Sequence, residues 1–148
     1  VREGTGRGTG QFFGPKIALD YHFRALEIRL QLFGEQHPDT AISLHNIGYA
    51  YLDLGKPNQA QDYFNRAFDI RCQLLGELHR NTAEALGNLV YSLIKLKRFP
   101  EAGERLDEYL DRLAQDHPMY KDISGLKKLL QKGKRKALQG IPKKKKKR

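Results

Sequence analysis

The sequence predicts an all-α fold in which antiparallel helix-turn-helix units stack as a solenoid behind a C-terminal capping helix. Three observations predict it. Gly34-Glu35-Gln36-His37-Pro38-Asp39-Thr40-Ala41 returns 42 residues later as Gly76-Glu77-Leu78-His79-Arg80-Asn81-Thr82-Ala83, and residues 20–41 match 62–83 at 13 of 22 positions. Apolar residues then recur three and four apart from Ala18 to Leu130, the spacing of one helical face. Finally, most expected boundaries carry a residue that starts or stops a helix. A fixed period of this length marks a stack in which each unit buries its apolar face only against its neighbours. Such a stack offers an extended binding surface rather than an enclosed reaction chamber.

Residues 1–14 hold Gly4, Gly6, Gly8, Gly10 and Gly14 among polar residues, and are expected to be a flexible segment without helix. They contain no G-x-G-x-x-G and follow no apolar strand, so a phosphate-cradling loop is not indicated. The array is expected over 15–115. Pro15 suits a first helical turn, and Ala18, Tyr21, Ala25, Ile28 and Leu32 mark a helix over 15–33 that corresponds to the second helix of a unit. The first full unit spans 39–75. Asp39 or Thr40 caps a helix marked by Leu44, Ile47, Tyr51 and Leu54, Gly55 and Pro57 form the turn, and Ala60, Phe64, Ala67, Ile70 and Leu74 line the return helix. The second unit spans 81–115. Asn81 with Glu84 reads as a capping box, followed by Leu86, Leu89, Val90, Leu93 and Leu96, and Pro100 opens a helix with Ala102, Leu106, Tyr109 and Leu113. His117-Pro118 then comes four residues earlier than the period requires. Residues 119–132, apolar at Tyr120, Ile123, Leu126, Leu129 and Leu130 and lysine-rich elsewhere, are expected to form the capping helix. Residues 133–148 read as a basic disordered tail.

The formal charge of +10 has a location. Residues 123–148 contain 12 Lys or Arg and no acid, which leaves 1–122 at a net of −2. The array therefore lacks the charge footprint of a nucleic-acid surface. One cysteine, Cys72, cannot form an internal disulfide or a Cys-rich metal site. No apolar run reaches the roughly 18–20 residues of a membrane span. The chain opens on Val1 rather than Met, and the helix over 15–33 lacks its partner. The expectation is a C-terminal part of a longer protein, or an apolar flank covered by another copy or protein.

Leu44-x-x-Ile47-Gly48-x-x-Tyr51, then Gly55, Ala60-x-x-x-Phe64 and Ala67, resembles the tetratricopeptide repeat, with Leu44 in place of the usual tryptophan. The ordinary unit has about 34 residues, so a period of 42 lengthens each helix by about one turn. That length, with Gly-Glu-x-His-Pro-Asp-Thr-Ala between units, resembles the subclass found in kinesin light chains. No heptad segment of the kind that joins such chains to a motor is present, so a motor subunit is not expected. The resemblance implies a non-catalytic scaffold that receives a peptide or protein on the concave face formed by the first helix of each unit.

On those helices Asn46 and Tyr49 recur as Asn88 and Tyr91, each pair on one helical face. Asparagine can both donate to and accept from a peptide backbone, and tyrosine supplies rigid contact area with a polar tip. His45, Asp53, Lys95 and Glu84 lie close enough in sequence to tune specificity. The competing reading has the asparagines bonding across helices and the tyrosines packing between units. His37 and His79 lie a full repeat apart, too far to share a metal, and read as turn residues. Cys72 reads as inert packing. Glu101, Glu104, Asp107, Glu108 and Asp111 read as a solvated acidic face, paired with nearby lysines or with the tail. No catalytic, metal or cofactor constellation emerges.

Lys143, Lys144, Lys145, Lys146, Lys147 and Arg148 after Pro142 resemble a nuclear import signal, and can alternatively touch RNA or anionic lipid. The expected setting is cytoplasmic, with the nucleus open through this tail. A second class of function is a nuclear nucleic-acid-associated factor whose tail binds and whose repeats dimerise through the first helix.

Overall fold

The computed structural model describes residues 10–141. They form α1 (Gly10–Phe33), α2 (Pro38–Asp53), α3 (Pro57–Leu75), α4 (Arg80–Lys95), α5 (Phe99–Arg112) and α6 (Tyr120–Gln139), with no strand among the described residues. The pairs α2–α3 and α4–α5 stack in series, α1 packs on α2, and α6 closes the far end against α4 and α5. The all-α solenoid expected from the period is what forms.

The repeated His is the helix start. The Nδ1 of His37 accepts from the Asp39 N–H at 3.1 Å, and that of His79 accepts from Asn81 N–H at 3.1 Å. His117 repeats this with the Met119 N–H at 3.1 Å, while its Nε2 donates to the Leu78 carbonyl at 2.8 Å. At α2 and α4 the imidazole takes over the usual task of a capping Ser or Asp, satisfying an otherwise orphaned N–H, whereas His117 lies in the turn before α6, whose N-cap is Met119. The caps expected at Asp39, Thr40 and Asn81 are thus displaced to the preceding histidines. Thr40 is fully buried instead, and its hydroxyl donates to the Gly34 carbonyl at 2.8 Å.

Within each pair the turn has Schellman geometry. Lys56 N–H reaches the Tyr51 carbonyl and Gly55 N–H the Leu52 carbonyl; 42 residues on, Arg98 N–H reaches Leu93 and Lys97 N–H reaches Ile94. The motif needs a left-handed residue. Gly55 supplies it at φ 68°, but Lys97 adopts φ 59° with a full side chain, at a cost of about 1 kcal/mol.

The core has two clusters. One joins Leu26, Ala41, Leu44, Ile47, Ala67 and Ile70 across α1–α3; the other runs from Ala60 and Phe64 through Leu89, Val90, Leu93, Leu106 and Tyr109 to Ile123 and Leu130 of α6. Gly48 permits the closest approach within the first pair: a Cβ there would lie 2.6 Å from the Phe64 ring. An arginine on the second helix of one unit ties down the first turn of the next. Arg29 donates to the Asp39 carbonyl at 3.1 Å and to the Ser43 hydroxyl at 2.8 Å, and Arg71 donates to the Asn81 carbonyl at 2.9 Å.

Three expectations are corrected. Helix α1 starts at Gly10 rather than Pro15, because extending a packed helix costs far less than nucleating one; Val1–Thr9 lie outside the described residues. Helix α6 continues past Lys132 to Gln139. Its added residues are mostly good helix formers, and their positive charges complement the helix C-terminus. Residues 142–148, with the lysine run, lie outside the described residues. Leu74, expected in the core, is 41% exposed, because it sits in the last turn of α3, at the edge of the stack.

Candidate functional site

The first helices of the units, α2 and α4, meet along one face through a short polar chain. The Tyr49 hydroxyl donates to Asn88 Oδ1 at 3.0 Å, and Asn88 Nδ2 lies 3.1 Å from His45 Nε2. Because Asn88 Oδ1 accepts from Tyr49, its amide N–H₂ donates to His45, which leaves the His45 proton on Nδ1. That Nδ1 is buried without a partner. His45 is only 5% exposed, and rests edge-on against Tyr49 and Phe64 at 4.8 and 5.4 Å. Burial first, and then the Arg71 cation, lower its pKa from 6.5 to about 4. His45 is therefore a neutral internal strut, which corrects the expectation that it tunes specificity at the surface.

The other expected residues divide. Tyr49, Asp53, Tyr91 and Lys95 come together with Leu52, Gly55 and Pro57 around one open groove of about 540 Å³ between the C-terminal halves of α2 and α4. Lys95 Nζ sits 5.3 Å from the centre of the Tyr91 ring, a cation–π contact that holds both side chains upright. Asn88 is half-buried; it is engaged with Tyr49 and His45 and also borders a smaller groove of about 230 Å³ between α4 and α6, with Glu84, Gly87, Tyr91 and Ile123. Asn46, the equivalent of Asn88 one period earlier, is half-buried and lines neither groove. In Asn88 the cross-helix role and the groove role coincide.

Sequence reading missed a third groove, also of about 540 Å³, where Tyr91 and Lys95 continue past Ile94, Lys97 and Phe99 to Leu129, Lys132 and Lys136 of α6. Two signals could have found it. Gly55 returns as Lys97 under the 42-residue period, and Lys132 and Lys136 lie one turn apart on α6. Tyr91 borders all three grooves, making a continuous face across α2, α4 and α6.

Elsewhere the chemistry is quiet. Burial, then the Glu77 and Asp69 carboxylates, push the Cys72 thiol up to about 11, which keeps it protonated and unreactive at neutral pH. Among the described residues no group of three His, Cys, Asp or Glu is placed to hold a metal ion. Of the acidic face on α5, Asp107 pairs with Lys127 of α6 at 2.8 Å.

A family model of tetratricopeptide repeats matches residues 15–73. The fold is that of kinesin-light-chain-like repeat proteins. Two crystal structures of Podosopora anserina kinesin light chain nearly identical TPR-like repeats superpose with TM-scores of 0.69 and 0.65 at 18% and 19% identity. They cover 85% and 78% of this chain and 62% and 57% of their own. BtubC (BKLC) from P. vanneervenii superposes with a TM-score of 0.63 at 15% identity, over 92% of this chain and 62% of that one. This chain thus spans about three-fifths of the length of these structures. No curated protein matches the sequence.

Proposed function

We propose that the chain is a non-catalytic interaction scaffold that takes an extended peptide or a partner helix on the face formed by α2, α4 and α6. The observation that carries this reading is the groove in which Tyr49, Asp53, Tyr91 and Lys95 converge from two successive units. Aromatic walls supply contact area at little entropic cost, and the flanking Asp53 and Lys95 supply opposite charges that fix polarity. The same groove is too open to exclude water from a reaction. Peptides selected on the full chain from a displayed random library test it. Tyr49→Ala or Tyr91→Ala should weaken a selected peptide about tenfold or more, whereas Glu104→Gln on the outer face of α5 should leave it unchanged. Equal affinity for all variants removes the groove from the reading.

A specific observation favours a second contact. Tyr21, Ile28 and Leu32 of α1 are 66%, 55% and 69% exposed, whereas Ile70, one period after Ile28, is 3% exposed. This apolar flank supports self-association through α1. No described helix is long and apolar enough to cross a membrane. A cytoplasmic setting, with nuclear entry through Lys143–Arg148, completes the proposal; the tail lies outside the described residues.

A further inference from the structure

The groove against α6 is the groove between α2 and α4 moved one period along the chain, with its chemistry changed. Asp53, Gly55 and Pro57 line the first. Lys95, Lys97 and Phe99 hold the same registers 42 residues later and line the second. An acid has become a base, a glycine a second base, and a proline an aromatic ring. From the facing wall α6 adds Lys132 and Lys136, one turn apart. Among the described residues no Asp or Glu lines this groove, and none of its four lysines joins an ion pair. Four like charges around one concavity repel one another and concentrate positive potential inside it.

Two rings stand among these charges. Tyr91 and Phe99 both line the groove and both are half-buried. Lys95 Nζ lies 5.3 Å from the centre of the Tyr91 ring, so a cation and an aromatic face occur within one contact. Gly133 lets α6 close on Phe99, since a Cβ there would lie 2.8 Å from the ring. Lys97 holds the left-handed backbone, at φ 59°, that glycine fills one unit earlier. Strained positions of this kind concentrate at ligand sites.

We infer that this groove holds a short stretch of single-stranded nucleic acid. A basic groove that follows the phosphates, with aromatic rings on which bases stack, is the pairing of features that an unpaired strand requires. In a duplex the base faces are already stacked on one another, whereas an unpaired strand can offer them to Tyr91 and Phe99. The phosphates on either side then meet Lys95, Lys97, Lys132 and Lys136. Every base has such a face, so the site tolerates sequence. An inorganic anion would leave the rings uncovered, and a flat lipid surface would not enter the concavity. The inference goes beyond the peptide groove between α2 and α4 and does not depend on it.

Fluorescence anisotropy tests this on the full chain with Lys143, Lys144, Lys145, Lys146 and Lys147 all replaced by Gln, so that the tail cannot compete. The probes are labelled decamers of oligouridylate and oligothymidylate. The logarithm of affinity should fall against the logarithm of salt concentration with a slope of about −3, as four phosphate contacts require. Lys132→Gln with Lys136→Gln should bring that slope to about −1.5. Phe99→Leu keeps an apolar side chain against Gly133 but has no ring; it should weaken both probes about tenfold with helicity unchanged. An abasic strand of the same length should bind about tenfold less well, or weaker still. Tighter binding of oligouridylate supports the site and assigns the 2′-hydroxyl a part in it; equal binding supports it through the shared phosphates and bases. Tyr49→Ala should leave both probes unaffected while it weakens peptides held between α2 and α4, so that either reading can fail alone. Abasic and base-bearing strands of equal affinity overturn the inference, as does an unchanged affinity in Phe99→Leu. Binding seen only when the tail lysines are restored overturns it too. So does a duplex, a hexaglutamate peptide or a phosphatidylserine vesicle that binds as tightly as the single strand.

Discussion

His45 shows how one buried side chain couples the units to pH. Its Nε2 accepts from Asn88 of the next unit, so protonation would set two donors against each other and place a cation in a largely apolar site. The ordinary histidine pKa of 6.5 is lowered to about 4 in the fold. A depressed folded pKa means that the unfolded chain takes up the proton first. The stabilisation from neutral His45 is therefore complete above about pH 6.5 and lost as pH falls toward 4, by up to about 3 kcal/mol. Urea denaturation at pH 7 and pH 4.5 should show this loss, and His45→Gln should remove most of the difference. An unchanged slope in that variant would assign the acid sensitivity elsewhere. Gly48 sets a steric limit of similar size. The Cβ of Gly48→Ala would enter the Phe64 ring at 2.6 Å, and overpacking of this kind costs about 1–3 kcal/mol. Gly48→Ala should lower the midpoint of thermal unfolding, and Phe64→Leu in the same chain should recover part of the loss.

At the scale of elements, the caps and turns decide where helices begin and end. His79→Ala removes the acceptor for the Asn81 N–H and should destabilise the chain by about 1 kcal/mol, read from chemical denaturation; His79→Asn or His79→Asp should restore most of it. Lys97→Gly should act in the opposite direction, raising stability by about 1 kcal/mol by removing left-handed strain. Much of this scaffold was legible in the sequence. The 42-residue period located the helix pairs, because stacking forces equivalent residues into equivalent environments. Gly34, Gly55 and Gly76 marked turns through their backbone freedom. Four features were hidden for physical reasons. Histidine is an uncommon cap, so the acceptors at His37 and His79 gave no familiar pattern. Burial of His45 depends on Phe64 and Asn88, which approach from other helices. The second apolar stripe of α1, with Leu19, Phe23 and Leu26 packed inward, was masked by the outward stripe at Tyr21, Ile28 and Leu32. The continuation of α6 beyond Lys132 was obscured by charge, although lysine and arginine are good helix formers when the chain is already nucleated.

For the molecule as a whole, the two ends of the stack differ in kind. At the far end α6 places Ile123 and Leu130 in the core and leaves Lys121, Lys127 and Lys128 exposed. That outer surface is polar and basic, as a terminal cap should be. At the near end α1 packs Leu26 against α2 and α3 and leaves Ile17, Tyr21, Ile28 and Leu32 open. The period supplies the comparison: Ala67 and Ile70 of α3 occupy the registers of Ala25 and Ile28, and the units before them bury both. Among the described residues nothing gives α1 an equivalent cover. A basic cap cannot provide it, so head-to-tail growth between copies is disfavoured. For the self-association proposed above, the self-complementary arrangement is isologous, with the same α1 face on both copies. Sedimentation equilibrium of the full chain should therefore give a mass between monomer and dimer that falls on dilution. Tyr21→Glu with Ile28→Lys should give monomer at every concentration without loss of helicity, because neither side chain contributes to the core around Leu26. Lys127→Gln on the opposite end should leave the association unchanged. A wild-type chain that stays monomeric at about 100 μM, where contacts worth roughly 6 kcal/mol already register, rules out self-association through α1 and leaves that flank to a different protein.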